Sequence, residues 1–281
     1  MALKTRLKRI GKRIPPVYWL GGLVNYLKFR RELAREQALY DAQLRHGKAA
    51  VPPPMLRYRV HRALDEASFV ATGPLVATDL LSCLDSRGVR LDGLTVLDFA
   101  CGPGRIVGEM KTRSRNCEFH GSDIDPEAIE WAQRHLSQVA RFQVNAPAPP
   151  TSYADASFDV IYNVSLFTHL DETNQNVWLE ELARILKPGG VLLTTVHGKY
   201  TLNSCTPEER AELDRYGIAF RVDHKGRFKL DGLPDFYQTT FHTRDYIART
   251  WSRYFDVLDH VEGGLQQHHD VVLLGRRAEA A

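Results

Sequence analysis

The period of apolar and polar positions changes once along the chain. Residues 1 to about 50 have helical spacing, Val51-Pro52-Pro53-Pro54 interrupts it, and Leu56 to Leu84 predicts a second helical stretch with Leu75, Leu80, Leu81 and Leu84 on its apolar face. Beyond that point short apolar runs recur at Thr95 to Phe99, Cys117 to Gly121, Arg141 to Val144, Phe158 to Asn163 and Gly190 to Val196. Helical patterns such as Glu127 to Leu136 and Asn174 to Leu186 separate them. Strands that alternate with helices need right-handed crossovers, which predicts an α/β domain with a parallel sheet. Lys187-Pro188-Gly189-Gly190 should end a helix and turn into a strand. Lys199 to Tyr237 is polar and irregular; Thr243 to Ser252 then predicts a helix, and Tyr254 to His260 and Asp270 to Arg276 predict two strands. The expected organisation is a basic helical extension over 1–50, a helical cap over 51–93, and the α/β domain over 94–281 with an insertion at about 199–240.

Charge alters this picture at one end. The net charge is only +3, yet Lys4, Arg6, Lys8, Arg9, Lys12, Arg13, Lys28, Arg30 and Arg31 all precede the first acid, Glu32, so the remaining body is mildly acidic. The basic terminus therefore suits an anionic surface. Between its two basic blocks runs Ile14 to Phe29, too short to span a bilayer and interrupted by Pro15, Pro16, Gly21 and Gly22. No small-residue cleavage site follows it, which argues against a signal peptide. Two readings stay open: an interfacial anchor with Tyr18 and Trp19 at the headgroup level, or a subdomain that caps the active site. Nucleic acid is a weaker third. Cys83, Cys101, Cys117 and Cys205 lie far apart with no CxxC pair and no accompanying histidine spacing, so neither a metal site nor a disulfide framework is expected, and a reducing cytoplasm fits.

The most informative stretch runs from Val96 to Val107, VLDFACGPGRIV, a strand entering a glycine turn and then a helix. A dinucleotide loop would want a third glycine where Val107 stands. Instead Asp98 precedes the turn, and a carboxylate there repels a pyrophosphate but suits an ammonium group. Asp123, about 20 residues beyond the loop at the end of the next predicted strand, can accept hydrogen bonds from two ribose hydroxyls, with Ile124 against a purine face.

With these residues the sequence resembles the class I S-adenosylmethionine-dependent methyltransferases, whose first motif is usually D-x-G-x-G-x-G. Phe158 to Leu170 is similar to the family's fourth motif, and Leu182 to Val191 to the helix-KPGG-strand that follows it. The resemblance implies a Rossmann-like, doubly wound, seven-stranded and mostly parallel sheet whose last strand is antiparallel. It implies S-adenosylmethionine as cofactor: Asp98, Phe99, Ala100, Gly102 and Gly104 at its methionine end, Asp123 at the ribose, Ile124, Asn145 and Ala146 around the adenine, and Asn163 at the end of the fourth strand. Ala100 departs from the usual first glycine, and Asn145 stands where an acid often accepts from the adenine amine. Alanine is small enough for the turn, and an amide oxygen still accepts.

Methyl transfer is an in-line displacement that needs alignment, exclusion of water and, for a hydroxyl, removal of a proton. His169 and His197, at the carboxyl ends of the fourth and fifth predicted strands, are the candidate bases; Gln267-His268-His269-Asp270 is a further candidate turn that could lie away from the cleft. Each histidine equally suits a strand-capping role, and proximity alone can carry the reaction. Asn163-Val164-Ser165-Leu166 lacks the Asn-Pro-Pro-aromatic signature of nucleobase amine methylation. The 199–237 insertion, with Tyr200, Phe220, Arg221 and Phe236, resembles the lids of small-molecule and sugar methyltransferases. The expected activity is O-methylation of a glycan, glycolipid or secondary metabolite in the cytoplasm, with peripheral membrane contact through residues 1–31. The alternatives are N- or C-methylation of a small metabolite, and a catalytically inactive cofactor-binding partner docked at a membrane.

Overall fold

The computed structural model describes residues 15–47, 51–223 and 229–277. Two compact units divide the chain, Met1–Glu66 with His224–Asp235, and Ala67–Asp223 with Phe236–Ala281. The division falls inside the stretch expected as a single cap. In the first unit, helix α1 (Pro15–Arg45) continues through Gly21 and Gly22, which the sequence suggested as breaks. It meets α2 (Pro54–His61) where Phe29 and Tyr58 pack with ring centroids 4.6 Å apart. Arg62, left-handed at φ 59°, ends α2 and pairs with the buried Asp231 carboxylate. The basic residues Lys4 to Arg13 and the side chains of Tyr18 and Trp19 lie outside the described residues.

The second unit is built on a sheet of seven strands. In chain order these are β1 (Thr95–Phe99), β2 (Glu118–Asp123), β3 (Arg141–Val144), β4 (Phe158–Asn163), β5 (Leu186–Val196), β8 (Asp256–Leu265) and β9 (His269–Gly275), arranged β3-β2-β1-β4-β5-β9-β8. β1 to β5 are parallel, and β9 inserts antiparallel to both β5 and β8. Strand order reverses between β1 and β4, which makes their carboxyl edge the topological switch point. Alternation sends Val96, Val160 and Tyr162 into one apolar layer and Leu97, Phe99 and Ile161 into the other, so both faces are covered.

Helices cover the sheet: α3 (Glu66–Asp85), α4 (Val107–Thr112), α5 (Pro126–Leu136), α6 (Glu172–Ile185) and α8 (Arg244–Thr250). α5 starts where the Asp125 carboxylate accepts the Glu127 and Ala128 amides ahead of Pro126, and α6 where Asp171 accepts the Asn174 amide. α3 is long and apolar enough to cross a membrane, but Val76, Ala77, Leu80 and Leu84 bury one of its faces in the sheet's core. Leu75, expected on that face, is exposed, since the buried stripe is set one residue further on. The Lys187-Pro188-Gly189-Gly190 stretch is already strand: α6 ends at Ile185, and β5 is bulged so that its register on β4 jumps between Phe158 and Val160.

The insertion is more ordered than its composition predicted. It carries α7 (Pro207–Tyr216), opened by a Thr206/Glu209 capping box, and a two-stranded antiparallel sheet of β6 (Ile218–Arg221) and β7 (Thr239–His242).

Candidate active site

β1 ends in three left-handed residues that fold the backbone into a cup: Ala100 (φ 64°), Gly102 (φ 54°) and Gly104 (φ 78°). Alanine does keep the turn, and the Ala100 and Cys101 amides both bond the Ser122 carbonyl, at 2.7 and 3.1 Å. A side chain at Gly104 would be strained, because its φ is 78° and a Cβ there would lie 2.7 Å from the tip of the Leu136 side chain. Asp123 at the end of β2 anchors the cup: its Oδ2 accepts the Gly102 amide at 2.7 Å and its Oδ1 the Asp125 amide at 2.9 Å. The carboxylate, which also takes a backbone hydrogen bond from Ile124, keeps acceptor capacity for a ligand's hydroxyl.

Asp98 is 2% exposed, and its Oδ2 is buried with no hydrogen-bond partner among the described residues. Burial pushes its carboxyl up to about 7, a rise that the Tyr162 hydroxyl and the Arg105 guanidinium only partly offset. Asp123 rises to about 6, again through burial, with the backbone amides pulling the other way. A buried carboxylate with an unpaired oxygen, beside another held only by backbone amides, suits an ammonium and a diol. S-adenosylmethionine carries both, so the donor set fits this group.

Other expected cofactor residues divide. Ile124 is half-buried beside Asp123. Phe99 is a core residue, its ring against Trp178 at 5.0 Å in the opposite layer, as strand alternation requires, so only its backbone borders the cup. Asn145 is already engaged: Oδ1 accepts from Ser122 Oγ at 2.7 Å and Nδ2 donates to the Ala146 carbonyl at 2.8 Å, which holds the exit of β3. Asn163 is fully buried, with Oδ1 accepting from Thr194 Oγ1 at 2.6 Å and Nδ2 without a partner among the described residues. Sequence reading passed over Tyr162 and Arg105. Tyr162 is paired in register with Asp98 across β1 and β4, a relation that strand parity contains. Arg105 directly follows the last glycine of the cup, where α3 comes close enough that a Cβ on Gly73 would lie 3.1 Å from the Arg105 carbonyl.

Further along the same edge the structure brings four histidines together. His169 and His197 have ring centroids 6.1 Å apart, and His268 and His269 lie 6.2 and 4.9 Å from His197. The 267–270 turn is thus beside the cleft edge and not remote from it. The returning segment of the insertion orients the first two rings. Gln238 and Thr240, two apart on an extended strand, present carbonyls to the same side. His169 Nδ1 donates to the Gln238 carbonyl and His197 Nδ1 to the Thr240 carbonyl at 3.0 Å, so in the neutral rings the basic nitrogen is Nε2. Tyr237 stacks on His169 with centroids 4.2 Å apart and donates from its hydroxyl to the Ser165 carbonyl. Burial holds His197 down at about 4, so it is neutral at physiological pH.

Residues 96–190 match a family described as a methyltransferase domain. A 2-methyl-6-phytyl-1,4-hydroquinone methyltransferase of Synechocystis is 33% identical over 36% of this chain and 31% of its own length. An O-methyltransferase of Aspergillus nomiae is 32% identical over 42% of this chain and 53% of its own. The chain thus spans between about a third and about half of the length of these relatives. A methyltransferase structure from Clostridium acetobutylicum shares the fold at a TM-score of 0.52 and 12% identity, covering 79% of this chain and 97% of that one. With the glycine cup, the paired carboxylates and the strand order already described, these likenesses show a methyltransferase domain over residues 96–190, set in a class I, Rossmann-like fold of the kind that uses S-adenosylmethionine.

Proposed function

We propose that this protein is an active methyltransferase that methylates a hydroxyl of a small molecule, a glycan, glycolipid or secondary metabolite, in the cytoplasm. The observation that carries the reading is the pair His169 and His197, each held by a backbone carbonyl in the tautomer whose Nε2 is basic. O-methyltransferases among the relatives support it. When bound, S-adenosylmethionine supplies an electrophilic methyl group on a sulfonium and departs as a neutral thioether. Asp98 meets the ligand's ammonium and Asp123 its ribose hydroxyls, while Gly102 and Gly104 admit the methionine end. Ile124 covers one face of the adenine, Asn145 and Ala146 border its edge, and Asn163 completes the floor below the acceptor. With the cofactor held there, His169 Nε2 would take the proton of the acceptor hydroxyl as that oxygen receives the methyl group.

The test supplies the purified chain with cofactor and matched acceptors bearing hydroxyl, amine or activated carbon, and identifies products by mass. Methylation confined to hydroxyls supports the reading. Methylation only at nitrogen or carbon replaces it with that chemistry, and normal cofactor binding without transfer to any acceptor favours the inactive-partner alternative. His169→Gln should lower kcat by about 100-fold with cofactor affinity unchanged.

We also propose that α1 makes peripheral contact with an anionic membrane surface. Leu20, Val24 and Leu27, spaced for one helix face, are all exposed, and the exposed Lys28, Arg30 and Arg31 follow.

A further inference from the structure

Beyond the cofactor site, His197, His268 and His269 each offer one ring nitrogen to a group whose members all lie within 4.8 Å of one another. We propose that these three residues bind one divalent transition-metal ion of the zinc class, with a fourth position open to an oxygen ligand. The sequence contained no spacing signature for such a site, because two distant stretches assemble it at the ends of β5 and β9.

Three features carry the assignment. First, His197 donates from Nδ1 to the Thr240 carbonyl at 3.0 Å, which fixes the ring and leaves Nε2 as its donor nitrogen. A metal-ligating histidine is characteristically tied in this way through its other nitrogen. Second, Nδ1 of His269 is shielded from solvent and has no hydrogen-bond partner among the described residues. Third, the turn bearing His268 and His269 is clamped to His197 and not merely adjacent to it. Asp270 accepts from His260 Nε2 at 3.0 Å, from the Gly263 amide at 2.9 Å and from the Lys199 amide at 3.4 Å. Gly198 makes room for that carboxylate, since a Cβ there would fall 1.8 Å from Asp270 Oδ2. On the other side Asp79 of α3 accepts the Gln266 amide at 2.9 Å.

Imidazole ligands select zinc and its neighbours over magnesium or calcium, which prefer oxygen. A zinc–nitrogen bond of about 2.0–2.1 Å sets nitrogens about 3.4 Å apart around a tetrahedral ion, so the group must contract slightly. His268 is exposed and can swing inward. Three protein ligands and one open position is the arrangement of catalytic zinc sites, where the ion lowers the pKa of a bound oxygen. At this edge of the sheet an acceptor hydroxyl could fill that position: its proton leaves to His169 or solvent, and the oxygen attacks the methyl carbon. That use rests on the proposed O-methylation; the binding of the ion does not.

The test uses the full chain without any affinity tag, stripped with a chelator, and titrates Zn²⁺ by calorimetry and Co²⁺ by visible absorption. One ion per chain is expected, with the intense Co²⁺ bands of a four-coordinate site. His268→Ala, on an exposed turn, should weaken Zn²⁺ at least about tenfold and abolish those bands, while His135→Ala, on the surface of α5, should leave both intact. No stoichiometric binding by the wild type, or equal binding by His268→Ala, overturns the site. Binding of S-adenosylhomocysteine, measured on the same preparations, keeps the two readings apart. Zn²⁺ bound without it would sink the methyltransferase reading and leave the site, and the reverse would sink the site alone.

Discussion

Asp98 is buried, which disfavours its charged form, and that makes its role testable. Its folded pKa of about 7 exceeds the ordinary 3.8, so the folded state keeps a proton that the unfolded chain has released. Stability from this group is therefore lost as pH rises between those values, and the cost is complete above about pH 7. Asp98→Asn has no such dependence. Without ligand it should melt close to wild type near pH 4 and well above it near pH 8, the full difference being on the order of 4 kcal/mol, while binding of S-adenosylhomocysteine is lost. Thermal melts at both pH values with calorimetry decide it: an unchanged melt at pH 8 would show that the carboxyl is not disfavoured there. Gly198 makes the opposite case, a residue with no chemistry whose smallness places others. Gly198→Ala forces the Asp270 carboxylate out of its present position and should cost about 1–3 kcal/mol in denaturant unfolding.

At the scale of elements, α1 carries an apolar stripe that its own unit leaves uncovered at Leu20, Val24 and Leu27. Replacing Leu20 and Leu27 together by Glu should sharply reduce co-sedimentation with anionic vesicles and leave cofactor affinity intact; undiminished sedimentation would remove α1 as a membrane contact. What the sequence made legible also sorts by element. The β1–cup–α4 and β2–α5 units were readable to within a few residues, because β1 is a short apolar run ending in the glycine turn and α5 begins at Asp125-Pro126. Ala100 was read correctly as tolerable in the turn. β6 and β7 were not readable, being four residues each, partly polar and stabilised by pairing with each other and, for the 238–242 segment, by bonds to the Thr168, His169 and His197 carbonyls. The histidine cluster was hidden for the same reason, since Gln238, Thr240 and Asp270 assemble it through bonds between segments far apart in sequence.

On the scale of the whole molecule, cofactor binding must counter the desolvation of two carboxylates at the carboxyl edge of the sheet. The ligand's ammonium needs Asp98 ionised, and in the free protein that ionisation is half complete only at about pH 7. Proton and ligand therefore compete for the same oxygen. Affinity for S-adenosylhomocysteine should be nearly flat above about pH 8 and fall about tenfold per unit below 7, more steeply once Asp123, at about 6, also takes up a proton. Binding near pH 7 should release a fraction of a proton, visible as a calorimetric enthalpy that varies with the ionisation enthalpy of the buffer. In turn the ligand should protect the fold most where the carboxylates cost it most: at 100 times Kd it contributes about 2.7 kcal/mol, and since Kd is smallest at high pH, a fixed ligand concentration should raise Tm more at pH 8 than at pH 6. A pH-independent affinity, with no buffer dependence of the enthalpy, would mean that Asp98 does not receive the ammonium, and the roles given to the two carboxylates would have to be exchanged or abandoned.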